Sequence, residues 1–108
     1  MMDYETLRQE IEQFNKDRDW DQFHSAENLA KSISIEAGEL LECFQWDGRH
    51  FDQAHTKEEL SDVLIYCIQM ADTLQIDLLD TAHAKMQQNA AKYPVKLAKG
   101  NAKKYSDL

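Results

Sequence analysis

A chain of 108 residues and 12.6 kDa is long enough for one compact domain and too short for two. Its residues are 43% hydrophobic and 9% aromatic, which excludes global disorder, and three Gly and one Pro are too few turn formers for a sandwich or a barrel. Net charge is −8, but unevenly spread: residues 1–84 hold six basic residues against 19 acids, and residues 85–108 hold six lysines against one aspartate. An acidic body with a basic end lacks the broad basic face that a nucleic-acid polymer requires.

No apolar run approaches the ~20 residues of a membrane span. The acidic start MMDYETLRQE lacks the basic region and apolar core of a secretion signal. The expectation is a soluble, cytoplasmic protein with no membrane partner. Cys43 and Cys67 lie in apolar stretches without a CxxC pattern, which favours buried reduced thiols over a disulfide or a zinc site.

Helical spacing predicts four helices. Leu7, Ile11 and Phe14 mark the first, over about residues 3–17. The segment RDWDQFH, residues 18–24, breaks the period and reads as a loop. Ser25 offers an N-cap to a second helix reaching about Trp46, with Leu29, Ile33, Ala37, Leu40 and Phe44 on one stripe and Gly48 past its end. Thr56 followed by Glu59 reads as a capping box for a third helix, which carries Leu60, Val63, Leu64, Cys67, Ile68 and Ala71 toward the core until about Gln75. Asp77 caps a fourth, about 78–92, in which Leu79, Ala82, Met86 and Ala90 repeat. Pro94 then disfavours helix at Tyr93 and releases a lysine-rich tail over residues 93–108.

The chemistry lies on the second and third helices. Glu36 and Glu39 are three apart, as are Glu59 and Asp62, so each pair shares one helix face and two such helices side by side can direct four carboxylates at one point. Glu36 lies close to Leu29 and Leu40 around its helix, and Glu59 close to Val63. Acids bordering an apolar stripe are partly desolvated and repel one another unless a cation holds them. Oxygen ligands without histidine or thiolate favour Mg²⁺, with Mn²⁺ as a substitute. Chance also places ExxE and ExxD in an acidic helical protein. A ferritin-type di-iron bundle needs two ExxH motifs, and only Asp80 with His83 approximates one.

As the family resemblance given next implies, several other side chains suit a nucleotide. Trp20 in a polar loop and Trp46 at a helix end stand off the core stripes, where each ring could stack on a base or pack against a second subunit. Asn89, Lys92 and Tyr93 follow the pattern KxxxNxxKYP, in which Asn89 suits sugar or phosphate and Lys92 the phosphate chain, although a solvated helix end has the same composition. Lys85 is a further phosphate candidate. Tyr66, one turn beyond Asp62, can reach a ligand or a carboxylate, or serve as a core tyrosine.

The four carboxylates, together with RDWDQFH (18–24), ENLAKSISIEAGELLECFQW (27–46), EELSDVLIY (58–66), KMQQNAAKYPV (85–95) and KGNAKKYSDL (99–108), resemble the MazG-like all-α nucleoside triphosphate pyrophosphohydrolases. Within them the combination looks most like the small single-domain branch that acts on dCTP, though the connection from Trp46 to Thr56 is shorter than in its longer members. The resemblance covers nearly the whole chain. It implies an all-α, four-helix domain over residues 1–108 that assembles into an oligomeric bundle, as a homodimer or homotetramer. It also implies hydrolysis of a (d)NTP, dCTP or a modified cytosine nucleotide, to monophosphate and pyrophosphate, with Mg²⁺ held by Glu36, Glu39, Glu59 and Asp62 and with His24 lining the pocket. Glu39, the more central acid, is the expected general base. The competing reading is a non-catalytic helical metal-binding or protein-interaction module.

Overall fold

Five helices and two short 3₁₀ turns, with no strand, make up the computed structural model, which describes residues 1–108. The helices are α1 (Tyr4–Asp17), α2 (Ala26–Glu42), α3 (Gln53–Leu74), α4 (Leu78–Lys92) and α5 (Val95–Ala98). No helix is long and apolar enough to cross a membrane. The residues fall into two compact units, Met1–Ile76 and Asp77–Leu108.

In the first unit α3 packs along α2 and also touches α1. Each helix starts on a side-chain cap, which supplies an acceptor to an otherwise unpaired N–H: Asp3 accepts from the Thr6 amide at 2.8 Å, Ser25 from Asn28 at 3.2 Å and Asp52 from His55 at 3.2 Å. Ile11, Leu29, Ile68 and Ala71 form the buried core, joined by the polar Asn15. Arg8 ties α1 to α3 by bonding Glu5, Glu12 and Asp72. Cys43 and Cys67 are free thiols, half-buried rather than buried.

In this unit the structure corrects the helix bounds, the core stripes and the 18–24 loop read from the sequence. The second helix stops at Glu42 instead of near Trp46: the amides of Cys43, Phe44 and Gln45 close tight turns onto the carbonyls three residues back, and Phe44 folds against Phe51 at 4.6 Å between ring centroids. The third helix starts earlier, because Asp52 and not Thr56 is its cap; the Thr56 hydroxyl donates to the Asp52 carbonyl at 2.8 Å. Ala37, Leu60 and Leu64 face solvent rather than core, since they lie on helix faces that no neighbour covers. The segment 18–24 contains a 3₁₀ turn at Asp21–Phe23, held where Asn28 donates its side-chain N–H to the Phe23 carbonyl at 2.9 Å.

The second unit contains α4, capped by Asp77 as the sequence predicts, then α5 and a 3₁₀ turn at Tyr105–Asp107. The tail is therefore not without structure. Pro94 stops α4 and becomes the N-cap of α5, so the helix count is five rather than four. Tyr93 and Tyr105 meet edge to face at 6.1 Å, and the Lys92 ammonium sits 4.8 Å from the Tyr105 ring. Leu79, Ala82, Met86 and Ala90 are exposed, because this unit has no second long helix to cover the stripe.

Candidate active site

Packing of α2 along α3 brings the carboxylates together. Glu36, Glu59 and Asp62 each offer one oxygen, and these lie within 4.8 Å of one another. Glu39, one turn beyond Glu36, stands near enough to Glu36 and Glu59 to oppose the ionisation of each. Burial opposes ionisation of Glu36 first, followed by Glu39, Asp62 and Glu59, and its carboxyl is pushed up to about 7. Glu59 is raised for the same reasons, burial and then Glu39, with His55 acting in the opposite direction. Burial and then the charges of Glu36, Asp62 and Glu39 hold the Tyr66 phenol protonated beyond its usual range.

Glu36 Oε2 and Glu59 Oε2 are both buried without a hydrogen-bond donor. A buried acceptor left unpaired costs roughly 1–3 kcal/mol, more when charged. Two such oxygens beside a third carboxylate are satisfied by a cation, and an all-oxygen donor set suits a hard divalent ion. The residues present therefore fit a Mg²⁺ or Mn²⁺ ion.

Asp62 also lines a cleft of about 290 Å³, whose walls include Trp20, His24, Tyr66, Phe14 and Gln69. Trp20 is set there by its amide, which donates to the Asn15 carbonyl at 3.0 Å, and by an edge-on contact with Phe14 at 5.7 Å, whose ring the Arg18 guanidinium covers at 3.6 Å. The cleft thus joins an aromatic wall to the carboxylate cluster through one residue. A larger cavity of about 440 Å³ lies beside Arg8, Lys16 and Asp72, but none of the four carboxylates lines it.

Of the side chains singled out in the sequence, Glu36, Glu39, Glu59 and Asp62 converge, and Trp20, His24 and Tyr66 gather around the adjoining cleft. Trp46 stands 90% exposed after α2 and lines neither cavity. Lys85, Asn89, Lys92 and Tyr93 belong to the second unit, on α4 and at its C-cap. Sequence reasoning passed over two residues. His55 Nε2 lies 3.7 Å from Glu59 Oε1, and the i,i+4 spacing on one helix was the available signal. Gln69 extends the run His55, Glu59, Asp62, Tyr66 along one face of α3 at alternating spacings of four and three.

The family model described as the MazG-like family matches residues 31–108. dCTP pyrophosphatase 1 of Rattus norvegicus and that of Homo sapiens are each 40% identical to this chain over 113 residues, covering 96% of it. The chain spans 66% of the length of these curated relatives. A crystal structure of a pyrophosphatase from Archaeoglobus fulgidus is similar with a TM-score of 0.77 and 34% identity, over 87% of this chain and 98% of that one.

Proposed function

The chain belongs to the MazG-like family, and from that premise we propose that it is a divalent-metal-dependent nucleoside triphosphate pyrophosphohydrolase acting on dCTP or a modified cytosine nucleotide. The observation that carries the reading is the junction at Asp62 between three mutually close carboxylates, two with unpaired buried oxygens, and an aromatic-walled cleft. Further support comes from the 40% identity to proteins named dCTP pyrophosphatase 1.

In this reading Glu36, Glu39, Glu59 and Asp62 would hold Mg²⁺, or Mn²⁺ in its place. Such an ion, when bound, neutralises triphosphate oxygens and lowers the pKa of water. Glu39 accepts the proton of the water that attacks the α-phosphorus; the bond to the bridging oxygen breaks, giving the monophosphate and pyrophosphate. Trp20 and Tyr66 offer faces and edges to the base, and His24 closes the same cleft. Lys85, Asn89, Lys92 and Tyr93 enter through the KMQQNAAKYP pattern as groups for phosphate and sugar, and Trp46 as a stacking ring. The domain is taken as residues 1–108 with the basic tail 93–108. It acts in the cytoplasm on free nucleotides rather than on a polymer, as a homodimer or homotetramer.

The test is incubation with dCTP, dUTP, dTTP, dATP and dGTP and Mg²⁺, followed by separation of products. Monophosphate and pyrophosphate should form, fastest from dCTP, and EDTA should abolish the reaction. Glu39→Gln and Asp62→Asn should each lose at least a hundredfold in kcat while keeping the helical circular dichroism spectrum. Metal binding without any turnover would instead identify a non-catalytic metal-binding module.

A further inference from the structure

Besides the two carboxylate oxygens that a cation explains, Gln69 Oε1 is a buried side-chain oxygen without a hydrogen-bond donor. Gln69 stands between two cavities, lining the cleft shared by Asp62, Trp20, His24 and Tyr66 and also the larger cavity beside Arg8 and Asp72. It lies seven residues beyond Asp62 on α3, so it shares that residue's helix face at a rise of roughly 10 Å. An orphaned amide oxygen is unfavourable in the ligand-free protein, and a donor arriving with a ligand recovers the loss.

We propose that Gln69 is the residue that distinguishes cytosine from uracil and thymine, by accepting a hydrogen bond from the amino group on C4 of a base seated in this cleft. The proposal rests on the reading of the chain as a cytosine-nucleotide pyrophosphohydrolase and assigns that site its specificity residue. Aromatic walls stack on any base and cannot choose among them. Choice requires a polar group aimed at the base edge, and the Gln69 amide has both halves of the needed pair: Oε1 accepts from the exocyclic amine while Nε2 donates to the ring nitrogen N3. With Oε1 held toward C4, the C4 carbonyl of uracil or thymine would set acceptor against acceptor; only a flipped amide pairs with those bases. The volume, about 290 Å³, falls just below the roughly 300–1,000 Å³ of ligand cavities, room enough for a base.

A residue-by-ligand cycle tests this without relying on catalysis. The probes are dCMP and the corresponding 2-pyrimidinone monophosphate, which lacks only the C4 amino group, titrated against the full chain by tryptophan fluorescence. The native protein should bind dCMP about tenfold more tightly than the analogue, and Gln69→Met, close in volume but without the amide, should bind both alike. Gln69→Leu repeats the measurement with a branched side chain. Because both variants remove an unpaired buried acceptor, they should melt no lower than the native protein, a result that damage to the fold would not give. An unchanged preference in Gln69→Met and Gln69→Leu, or equal or absent binding of the two probes by the native protein, overturns the proposal. Pyrophosphate release from dCTP, measured on the same preparations, reports separately on the enzymatic reading.

Discussion

Glu36 keeps its proton up to about pH 7 because burial opposes its charge, with Glu39, Asp62 and Glu59 adding to the effect. An unfolded glutamate titrates near 4.5, so between the two values the folded chain holds a proton that the unfolded chain has released. The stability this group contributes is therefore complete below about pH 4.5 and is lost as pH rises through about 7. In EDTA, melting temperature should fall between about pH 4.5 and about pH 7, and Glu36→Gln should flatten that part of the profile. Adding Mg²⁺ or Mn²⁺ at the higher pH should restore melting temperature, since a ligand for the folded state stabilises it by mass action. A native profile that Glu36→Gln leaves unchanged would show that the cluster does not oppose its own ionisation.

At the scale of the helices, function depends on caps that fix where each one starts. Asp52 begins α3 a full turn before Thr56, and that extra turn carries His55 to within 3.7 Å of Glu59. Removing the cap frees the first amides of the helix that bears Glu59 and Asp62. Asp52→Ala should cost about 1 kcal/mol in denaturant unfolding. Thr56→Ala, which loses only a hydroxyl donating to the Asp52 carbonyl, should cost less. Equal losses would return the capping role to Thr56. The sequence pattern alone misplaced this boundary because two acceptable caps stand four residues apart, and only the path of the preceding chain selects between them.

Across the whole molecule the apolar surface exceeds what the fold covers. Ile35, Leu41, Leu60 and Leu64 are each at least half exposed, while only four apolar residues are buried. Exposed apolar patches of this kind mark surfaces for association. If a second copy covers them, light scattering should give a dimer or tetramer at micromolar concentration, and melting temperature should rise with protein concentration. A monomer with concentration-independent melting would contradict the assembly.

What the sequence determined by itself was local in origin. Helix class follows from apolar residues at spacings of three and four with few breakers, the caps Ser25 and Asp77 follow from a capping residue before such runs, and the carboxylate pairs follow from i,i+3 spacing, which fixes a helix face whatever surrounds it. The contents of the site depended on tertiary packing. Whether Glu36 and Glu59 meet, whether Leu60 is core or surface, and which of two tryptophans stands beside Asp62 all depend on how α2 and α3 lie against each other, a distance that no spacing along one helix contains. Gln69 shows the difference most plainly: its place on the face of Asp62 and Tyr66 was readable, but an unpaired oxygen is a property of its neighbours, and those come from other parts of the chain.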